Sequence, residues 1–307
     1  MRAACAPRVA ARRSPADAVR GVDVALKLTS GDVRMRWRAA RLRVLAWLLR
    51  RTHRDFPGRW RVERFAVREV RSVGPRLRPV VVRTRDGFCI EADPAEWVGQ
   101  YVYVTGRYEE HTAALMARLL QPGDRFVDVG ANIGYLTLHA AGLVGPSGSV
   151  LAFEPLASAR ESLVRNVALN RASHVSVLGD AVSDRTGTTV LNIGPEHHTS
   201  TSSLLQVAAG LGEVAVPSVR LDDAISDSPR VRLIKIDVEG AEQLVLDGAG
   251  RVLDLHEPDI IVELNGPEAD RALRHRGYAA FAIDGAPLGQ VTGQINAYFT
   301  KRGGPPD

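Results

Sequence analysis

Residues 126–134 read FVDVGANIG, and this stretch decides the fold. An apolar run enters a glycine-rich turn, and Glu154 ends the next strand-like run, Ser149–Glu154, 20 residues beyond Gly134. A strand, a glycine-rich turn and a later acid are typical of a nucleotide-type cofactor site, where the acid accepts hydrogen bonds from ribose hydroxyls. The stretch therefore predicts an α/β fold with a ligand at the carboxyl ends of parallel strands.

The side chains of the turn distinguish between two cofactors. In the GxGxxG pattern of a dinucleotide site, the middle glycine lets the backbone approach a pyrophosphate. Here Asn132 stands at that position, and Asp128 lies just before the turn. An acid there opposes a pyrophosphate but can pair with the ammonium of a methionyl group. The turn therefore favours S-adenosylmethionine over NAD and disfavours an NAD-dependent oxidoreductase.

Strand-like and helix-like segments alternate through the rest of the chain, which predicts βαβ units and a doubly wound, mostly parallel sheet. The predicted strands are Arg125–Val129, Ser149–Glu154, Val175–Gly179, Val231–Asp237, Asp259–Leu264, Ala279–Ile283 and Ala297–Lys301. The predicted helices are His111–Leu120, Tyr135–Val144, Ala157–Asn170, Gly240–Asp247 and Pro267–Arg276. The last two strands have no helix between them, so we expect an antiparallel hairpin at the sheet edge.

Charge is unevenly distributed along the 307 residues. The first 85 carry 23 Lys and Arg against 6 Asp and Glu, and the remainder carries 17 against 29. Such a split indicates a surface-binding extension on an acidic catalytic body. We predict an Arg/Ala-rich disordered tail over residues 1–31, a helical and strand-like extension over 32–83, and a catalytic domain over 84–302.

Within the extension, Val33–His53 has the apolar spacing of a basic amphipathic helix. Its arginines could bind an anionic membrane or nucleic acid, or their stems could lie along the main domain as the helix packs there. We favour packing, which predicts that Trp37 and Trp47 are partly buried, and keep peripheral membrane contact as the alternative. Further strands are predicted at Val62–Val73 and Val80–Arg85, and a hairpin at Thr84–Ala92 through Asp86-Gly87.

The compartment is predicted from what the sequence lacks. Two cysteines, Cys5 and Cys89, provide neither a disulfide framework nor a cysteine-based zinc site. The start of the chain has no apolar run of a signal peptide. Val129–Phe153 is uncharged, but five glycines interrupt it, so we predict no transmembrane segment. These features predict a soluble, cytoplasmic protein.

Eight short motifs and a pair of asparagines follow one another between Thr84 and Leu264. They are GRYE (106–109), PGD (122–124), DVGANIGY (128–135), FEP (153–155), Asn166 with Asn170, DAVSD (180–184), VRLDD (219–223), IKIDVEGAE (234–242) and IVE (261–263). On these residues the chain resembles FkbM-type methyltransferases, a family of class I S-adenosylmethionine-dependent enzymes with a Rossmann-like fold. The resemblance implies a seven-stranded sheet and methyl transfer, usually to a hydroxyl.

The resemblance also implies roles for individual residues. By position, a cradle for the methionyl part of the cofactor would be formed by Asp128, Gly130, Asn132 and Gly134. Glu154 would hold both ribose hydroxyls, and Asp180 would face the adenine amino group. From the residues alone, Asp180 is equally explained as a turn or helix-cap acid.

Asp237 and Glu239 follow a strand so apolar that it should be central and buried. Methyl transfer needs an acceptor oxygen held in line with the methyl group and a group that takes its proton, which a carboxylate can do. We therefore predict a catalytic role for both acids. The alternative is a helix N-cap for Asp237 and a first-turn acid for Glu239. Glu263 is a weaker third candidate.

His197 and His198 are adjacent, and a histidine makes a capable general base. We expect them on a surface loop instead. The spacing gives no support for a metal site formed by these histidines with Asp237 and Glu239, so no metal is predicted.

The leading function is O-methylation of a hydroxyl on a sugar, glycan or other small metabolite. The sequence lacks the Asp/Asn-Pro-Pro-Tyr/Phe motif with which exocyclic-amine methyltransferases hold a base. It also lacks the Pro-Cys nucleophile of cytosine-C5 methyltransferases, and both absences disfavour a nucleic-acid base as the acceptor. The alternative is an RNA methyltransferase whose Arg-rich N-terminal region contacts phosphates. A non-catalytic binding module would lack acids such as Asp237 and Glu239. Acceptor contacts are expected from loops such as Gly194–Ser218 and from the N-terminal region.

Overall fold

The computed structural model describes residues 33–52, 56–205, 210–291 and 293–305. The predicted disordered tail, residues 1–31, and the end of the predicted first helix lie outside these ranges. The chain divides into two compact units, Met1–Tyr108 and Glu109–Asp307. None of the described helices combines the length and apolar character needed to cross a bilayer.

The first unit is built on a pair of helices. In chain order its elements are α1 (Val33–Arg51), α2 (Arg59–Val73), β1 (Val80–Arg83), β2 (Cys89–Ala92) and α3 (Trp97–Thr105). Buried side chains of α1 pack against α2 and α3. The predicted hairpin is confirmed, since β1 and β2 pair antiparallel with Arg83 opposite Cys89. Helix α3 was not predicted.

The strand predicted at Val62–Val73 is wrong, because this segment belongs to α2. Ala66, Val70 and Val73 are buried at helical spacings of four and three residues. The β-branched valines favoured a strand, but burial of one helical face against α1 overrides that weak local preference.

The second unit holds the sheet that the sequence predicts. Its elements are α4 (Glu110–Leu119), β3 (Arg125–Val129), α5 (Tyr135–Val144), β4 (Ser149–Phe153), α6 (Ala157–Leu169), β5 (Val175–Leu178), β6 (Ala181–Val182), β7 (Gly187–Ile193), β8 (Gly212–Val219), α7 (Leu221–Ala224), β9 (Val231–Ile236), α8 (Glu242–Asp247), α9 (Gly250–His256), β10 (Asp259–Leu264), α10 (Pro267–His275), β11 (Ala279–Ala282) and β12 (Ile295–Thr300). Seven strands are ordered β11-β12-β10-β9-β3-β4-β5, with five parallel strands and an antiparallel β11–β12 hairpin at one edge. The predicted fold class is confirmed.

Apolar burial explains the central place of β9. Val231, Leu233, Ile234 and Ile236 are almost fully buried, as expected of a parallel strand that has neighbours on both sides and is covered on both faces. Strand β9 pairs with β3 on one side and β10 on the other. The strand therefore fixes the position of the acids that follow it.

A smaller three-stranded sheet, ordered β6-β8-β7, was not predicted. The segment Gly194–Ser218 was predicted to be a loop, but its last residues, from Gly212, belong to β8, so the loop assignment is wrong there. Val216 and Ser218 are buried at a spacing of two while most of β8 is exposed. A half-exposed strand of this kind has a weak apolar signal in the sequence.

Candidate active site

The acids highlighted by the sequence follow neighbouring strands. Strand β3 is parallel to β4 on one side and to β9 on the other, so the order of the sheet reverses at β3. Open α/β sheets bind ligands at such a point, beyond the carboxyl ends of the strands. Asp128 lies opposite Lys235 of β9, and the Asp237 N–H donates to the Val129 carbonyl at 3.0 Å. We call the region at the carboxyl ends of the parallel strands, where Asp128 and Asp237 lie, the carboxyl edge of the sheet.

Asp128 is a buried acid with one oxygen still available. Its Oδ2 accepts a hydrogen bond of 2.6 Å from the Thr137 hydroxyl, whereas its buried Oδ1 has no hydrogen-bond partner. Burial raises the pKa of Asp128, and the positive charge of Lys235 opposes that rise. An unpaired buried carboxylate oxygen is costly, so a cationic donor reaching Oδ1 would be strongly favoured.

The glycine-rich turn is shaped by backbone conformation. Gly130, Asn132 and Gly134 all have positive φ angles, of 84°, 51° and 89°. A Cβ on Gly130 would overlap the Asp237 carbonyl oxygen, and one on Gly134 would overlap Leu163. The two glycines are therefore required by the fold itself, in addition to any role at a ligand.

Glu154, directly after β4, holds this turn in place. One carboxylate oxygen accepts from the Asn132 N–H at 2.8 Å and the other from the Leu156 N–H at 2.9 Å. Each oxygen has a second lone pair, so the carboxylate can still accept from a ligand hydroxyl. Burial raises the pKa of Glu154 to about 7, although both amide hydrogen bonds oppose the rise. Asp180 lies two residues beyond β5 and is half-buried.

Lys235 is the residue of this site to which the sequence analysis gave no role. It is 4% exposed, and its Nζ donates to Asp237 Oδ2 at 2.7 Å. Burial alone would lower the pKa of Lys235, but the carboxylates of Asp237, Glu109 and Asp128 raise it above the ordinary value. The available signal was a lysine inside an otherwise apolar strand, in a chain with three lysines.

Glu109 is a second addition to the site. It precedes α4 with a φ of 46°, and its Oε2 is buried with no hydrogen-bond partner. Burial raises the pKa of Glu109, while the charge of Lys235 opposes the rise. No spacing rule connects Glu109 with Lys235, since they are far apart in sequence.

Three acids meet at the ends of β9 and β10. Carboxylate oxygens of Asp237, Glu239 and Glu263 all lie within 4.8 Å of one another. For Asp237, burial favours a higher pKa, but the charge of Lys235 and hydrogen bonds from Glu263 and Lys235 bring its pKa below the ordinary value. The pair Lys235–Asp237 is therefore charged at neutral pH.

The other two carboxyls are shifted in the opposite direction. Burial, with the charges of Asp237 and Glu242, raises the pKa of Glu239 to about 7. Burial, a hydrogen bond to Asp237 and the charges of Asp237 and Glu239 raise the pKa of Glu263 to about 8. Glu239 also has a strained φ of 53°, and such strain in a non-glycine residue clusters at functional sites.

The two histidines do not belong to this acid cluster. Among the described residues, the one group of side chains close enough to share a metal ion is Asp237, Glu239 and Glu263. His197 lies 3.8 Å from Glu196, and the His198 N–H donates to the Pro195 carbonyl within a turn. The third acid of the cluster is thus Glu263, which the sequence analysis ranked as the weaker candidate.

Replacing Glu263 with glutamine should make stability less dependent on pH. Glutamine retains a donor toward Asp237 and an acceptor for the Gln294 amide, which donates to Glu263 Oε1 at 2.8 Å. The folded pKa of Glu263, about 8, exceeds the ordinary 4.5. The stabilisation that protonated Glu263 gives the parent is therefore fully present below pH 4.5 and is lost as pH rises through about 8. Near pH 9, urea unfolding should show Glu263→Gln more stable than the parent by about 1–2 kcal/mol, allowing for solvent screening.

The difference should shrink toward pH 5. Glu213→Gln, at an exposed position on β8, is the matched control and should show no such trend. A Glu263→Gln difference that stays constant across the pH range would contradict the pKa assigned to Glu263.

Comparison with known proteins identifies the family of the chain. The family model of the methyltransferase FkbM domain matches residues 128–303, more than half of the chain. The chain therefore belongs to the FkbM methyltransferase family, as its motifs predict.

Two relatives are also named as methyltransferases. Methyltransferase 1 of Beauveria bassiana (strain ARSEF 2860) is 26% identical over 230 residues, 64% of this chain and 88% of that protein. The 31-O-demethyl-FK506 methyltransferase FkbM of Streptomyces tacrolimicus is 28% identical over 193 residues, 52% of this chain and 70% of that protein.

Solved structures are more distant. Methyltransferase FkbM from Methylobacillus flagellatus KT is 18% identical, with a TM-score of 0.39 over 65% of this chain and 52% of that chain. This chain thus spans about half of that protein. A SAM-dependent O-methyltransferase from Thermotoga maritima is 13% identical, with a TM-score of 0.40 over 75% of this chain and 80% of that chain.

Proposed function

We propose that this methyltransferase transfers a methyl group from S-adenosylmethionine to a hydroxyl of a sugar, glycan or other small metabolite. The observation that carries the proposal is the unpaired Asp128 Oδ1 at the switch point of the sheet. It lies beside a turn that has two positive-φ glycines.

The residues present fit S-adenosylmethionine chemically. Asp128 Oδ1 is an acceptor for an ammonium group, and such a charge-assisted bond would satisfy a buried oxygen that lacks a partner. Glu154 retains lone pairs for two hydroxyls although it also binds the turn. Asp180, after the adjoining strand β5, is proposed to bind the adenine amino group. When bound, this cofactor supplies an electrophilic methyl group.

The acid cluster supports an oxygen acceptor. A carboxylate oxygen of Glu239 takes the proton of the acceptor hydroxyl while the hydroxyl oxygen bonds to the methyl group. A base is most effective when its pKa is close to the working pH, and the pKa of Glu239 is about 7. Asp237 is less suited to accept the proton because Lys235 stabilises its charged form. In this proposal Asp237 orients the acceptor hydroxyl, and Lys235 is a positioning residue for Asp237.

The charge of the carboxyl edge favours an acceptor without negative charge. The charges of Glu109, Asp128 and Asp237 act on Lys235, and Glu239 and Glu263 are clustered with Asp237. A neutral hydroxyl compound can approach this edge freely, whereas the charged Asp237 and the ionised fraction of Glu239 would repel the phosphates of a nucleic acid. The Streptomyces relative is named for an O-methyl position, which supports the same reaction type.

Mass spectrometry of cell extracts, separated into a small-molecule fraction and an RNA fraction, tests the proposal. Extracts are incubated with S-adenosylmethionine and either the parent or Glu239→Gln. With the parent, at least one hydroxyl-bearing compound should become heavier by one methylene unit, and the product should lose that methyl to ether-cleaving reagents. Methylation found only on RNA or on an amine nitrogen would contradict the proposed acceptor.

A further inference from the structure

Helices α1 and α2 of the first unit expose large apolar side chains. Trp37, Val44 and Leu48 of α1 are 68%, 60% and 46% exposed, and Trp60 and Phe65 of α2 are 55% and 51% exposed. Trp37 was predicted to be partly buried, so that prediction is wrong. We call Trp37, Val44, Leu48 and Phe65 the Trp37 face.

The geometry of α1 explains why this exposure is unusual. The helix buries Ala39, Leu42, Ala46 and Leu49, at spacings of three and four residues. At 3.6 residues per turn, Trp37, Val44 and Leu48 lie on the opposite side of the same helix. A surface helix normally presents one apolar stripe to its core, whereas α1 presents a second stripe to solvent.

The second stripe continues into a groove. A concavity of about 450 Å³ is lined by Trp37, Val44, Leu45, Leu48 and Phe65, among others. Arg38 and Glu69 also line it and form an ion pair of 3.1 Å between α1 and α2. The Trp37 face therefore lines a single groove that includes residues of both helices.

Arginines border this surface. The two helices contain twelve arginines and two glutamates. Arg36 lies on one side of the exposed α1 stripe, and Arg34 and Arg41 lie on the other, all three exposed. The Arg51 guanidinium also lies over an aromatic ring of α1, at 4.7 Å from the Trp47 ring centre. Apolar and aromatic side chains bordered by arginine are typical of surfaces that lie in a membrane interface.

We propose that the Trp37 face docks on an anionic lipid surface. Its apolar side chains enter the headgroup region, and the bordering arginines contact lipid phosphates. A second copy of the chain would bring two strongly positive helix pairs together, which Coulomb repulsion opposes. Residues 1–32 offer no complementary charge either, since they contain six basic and three acidic residues. Nucleic acid would satisfy the arginines but gives no reason for exposed Val44 and Leu48.

Co-sedimentation of the full-length protein with vesicles tests this proposal. The vesicles contain either phosphatidylcholine alone or phosphatidylcholine mixed with phosphatidylglycerol. We expect binding to the mixed vesicles only, weakened but not abolished as salt rises toward about 0.5 M, because the apolar part is not screened. Trp37→Ala/Leu48→Ala should weaken binding at least tenfold, and Arg36→Gln and Arg41→Gln about fivefold each.

Leu255→Ala provides the matched control, because Leu255 is 52% exposed in the second unit and should leave vesicle binding unchanged. Circular dichroism of each variant should equal that of the parent, since the changed side chains are exposed. Equal binding by parent and Trp37→Ala/Leu48→Ala would overturn the proposal. The proposal would also be overturned by a dimer in sedimentation velocity, or an RNA complex in a gel shift, that forms with the parent and is lost only in this double variant.

Discussion

Glu239→Gln is expected to lower turnover by about 10²–10⁴-fold while cofactor affinity stays within about threefold. Glutamine retains the size of the side chain but cannot take a proton. For the parent, the rate should rise with pH through about 7 and then level off, because Glu239 must be deprotonated to act and its pKa is about 7. Initial rates with the acceptor found by mass difference, measured across pH, check both expectations.

Asp237→Asn is the informative comparison for this result. Asp237 is paired with Lys235 at 2.7 Å, so its replacement removes an ion pair as well as a charge near the acceptor. Both variants should lose turnover, but Asp237→Asn should keep a rise of the rate with pH, shifted below about pH 7 because the Asp237 charge helps to raise the pKa of Glu239. If Glu239→Gln retains turnover per folded molecule, Glu239 is only a strained turn residue and the assignment of the base is wrong.

Lys235→Met should produce the largest loss of stability, about 3–5 kcal/mol at neutral pH. The change leaves the largely buried carboxylate of Asp237 without its ion-pair partner. The positive charge of Lys235 acts on Asp128, Asp237 and Glu109 together. Urea unfolding measures the loss. Lys235→Met/Asp237→Asn should recover at least about 1 kcal/mol, since removing both charges is less costly than removing one.

Lys301→Met is the matched control at a surface pair. Lys301 lies 3.2 Å from Glu257, whose side chain is half exposed, and the loss should be about 0–1 kcal/mol. A Lys235→Met loss no larger than that of Lys301→Met would show that the acids at the carboxyl edge do not depend on a buried positive charge.

The seven strands of the main sheet could be predicted because each carries a strong local signal. β3 leads into a glycine-rich turn, β9 is apolar at four of its six positions, and glycine or proline separates most neighbouring elements. The acids at the carboxyl edge followed from the same reasoning, since parallel strands place their carboxyl ends together. Asp128, Glu154, Asp180 and Asp237 all lie at or just beyond such strand ends.

The remaining features depend on contacts between distant residues. Val62–Val73 satisfies both a strand and a helix preference, and packing against α1 decides between them. Glu109 and Lys235 are 126 positions apart in the sequence, and only the fold brings their charges close enough to interact. Glu154 was predicted to bind ribose, but its two hydrogen bonds to backbone amides of the turn follow from the folded geometry. The exposure of Trp37 likewise depends on which of two apolar stripes is packed.

The central claim is that the turn after β3 and Glu154 form an S-adenosylmethionine site. Titration calorimetry of this compound into the parent, Glu154→Ala and the exposed control Glu161→Ala tests it most directly. We expect one site per chain, unchanged affinity in Glu161→Ala, and affinity weakened about 30- to 1000-fold in Glu154→Ala, the effect of losing a charged hydrogen-bonding partner worth roughly 2–4 kcal/mol. Equal affinity in the parent and a folded Glu154→Ala, or tight binding of NADH by the parent, would contradict the account.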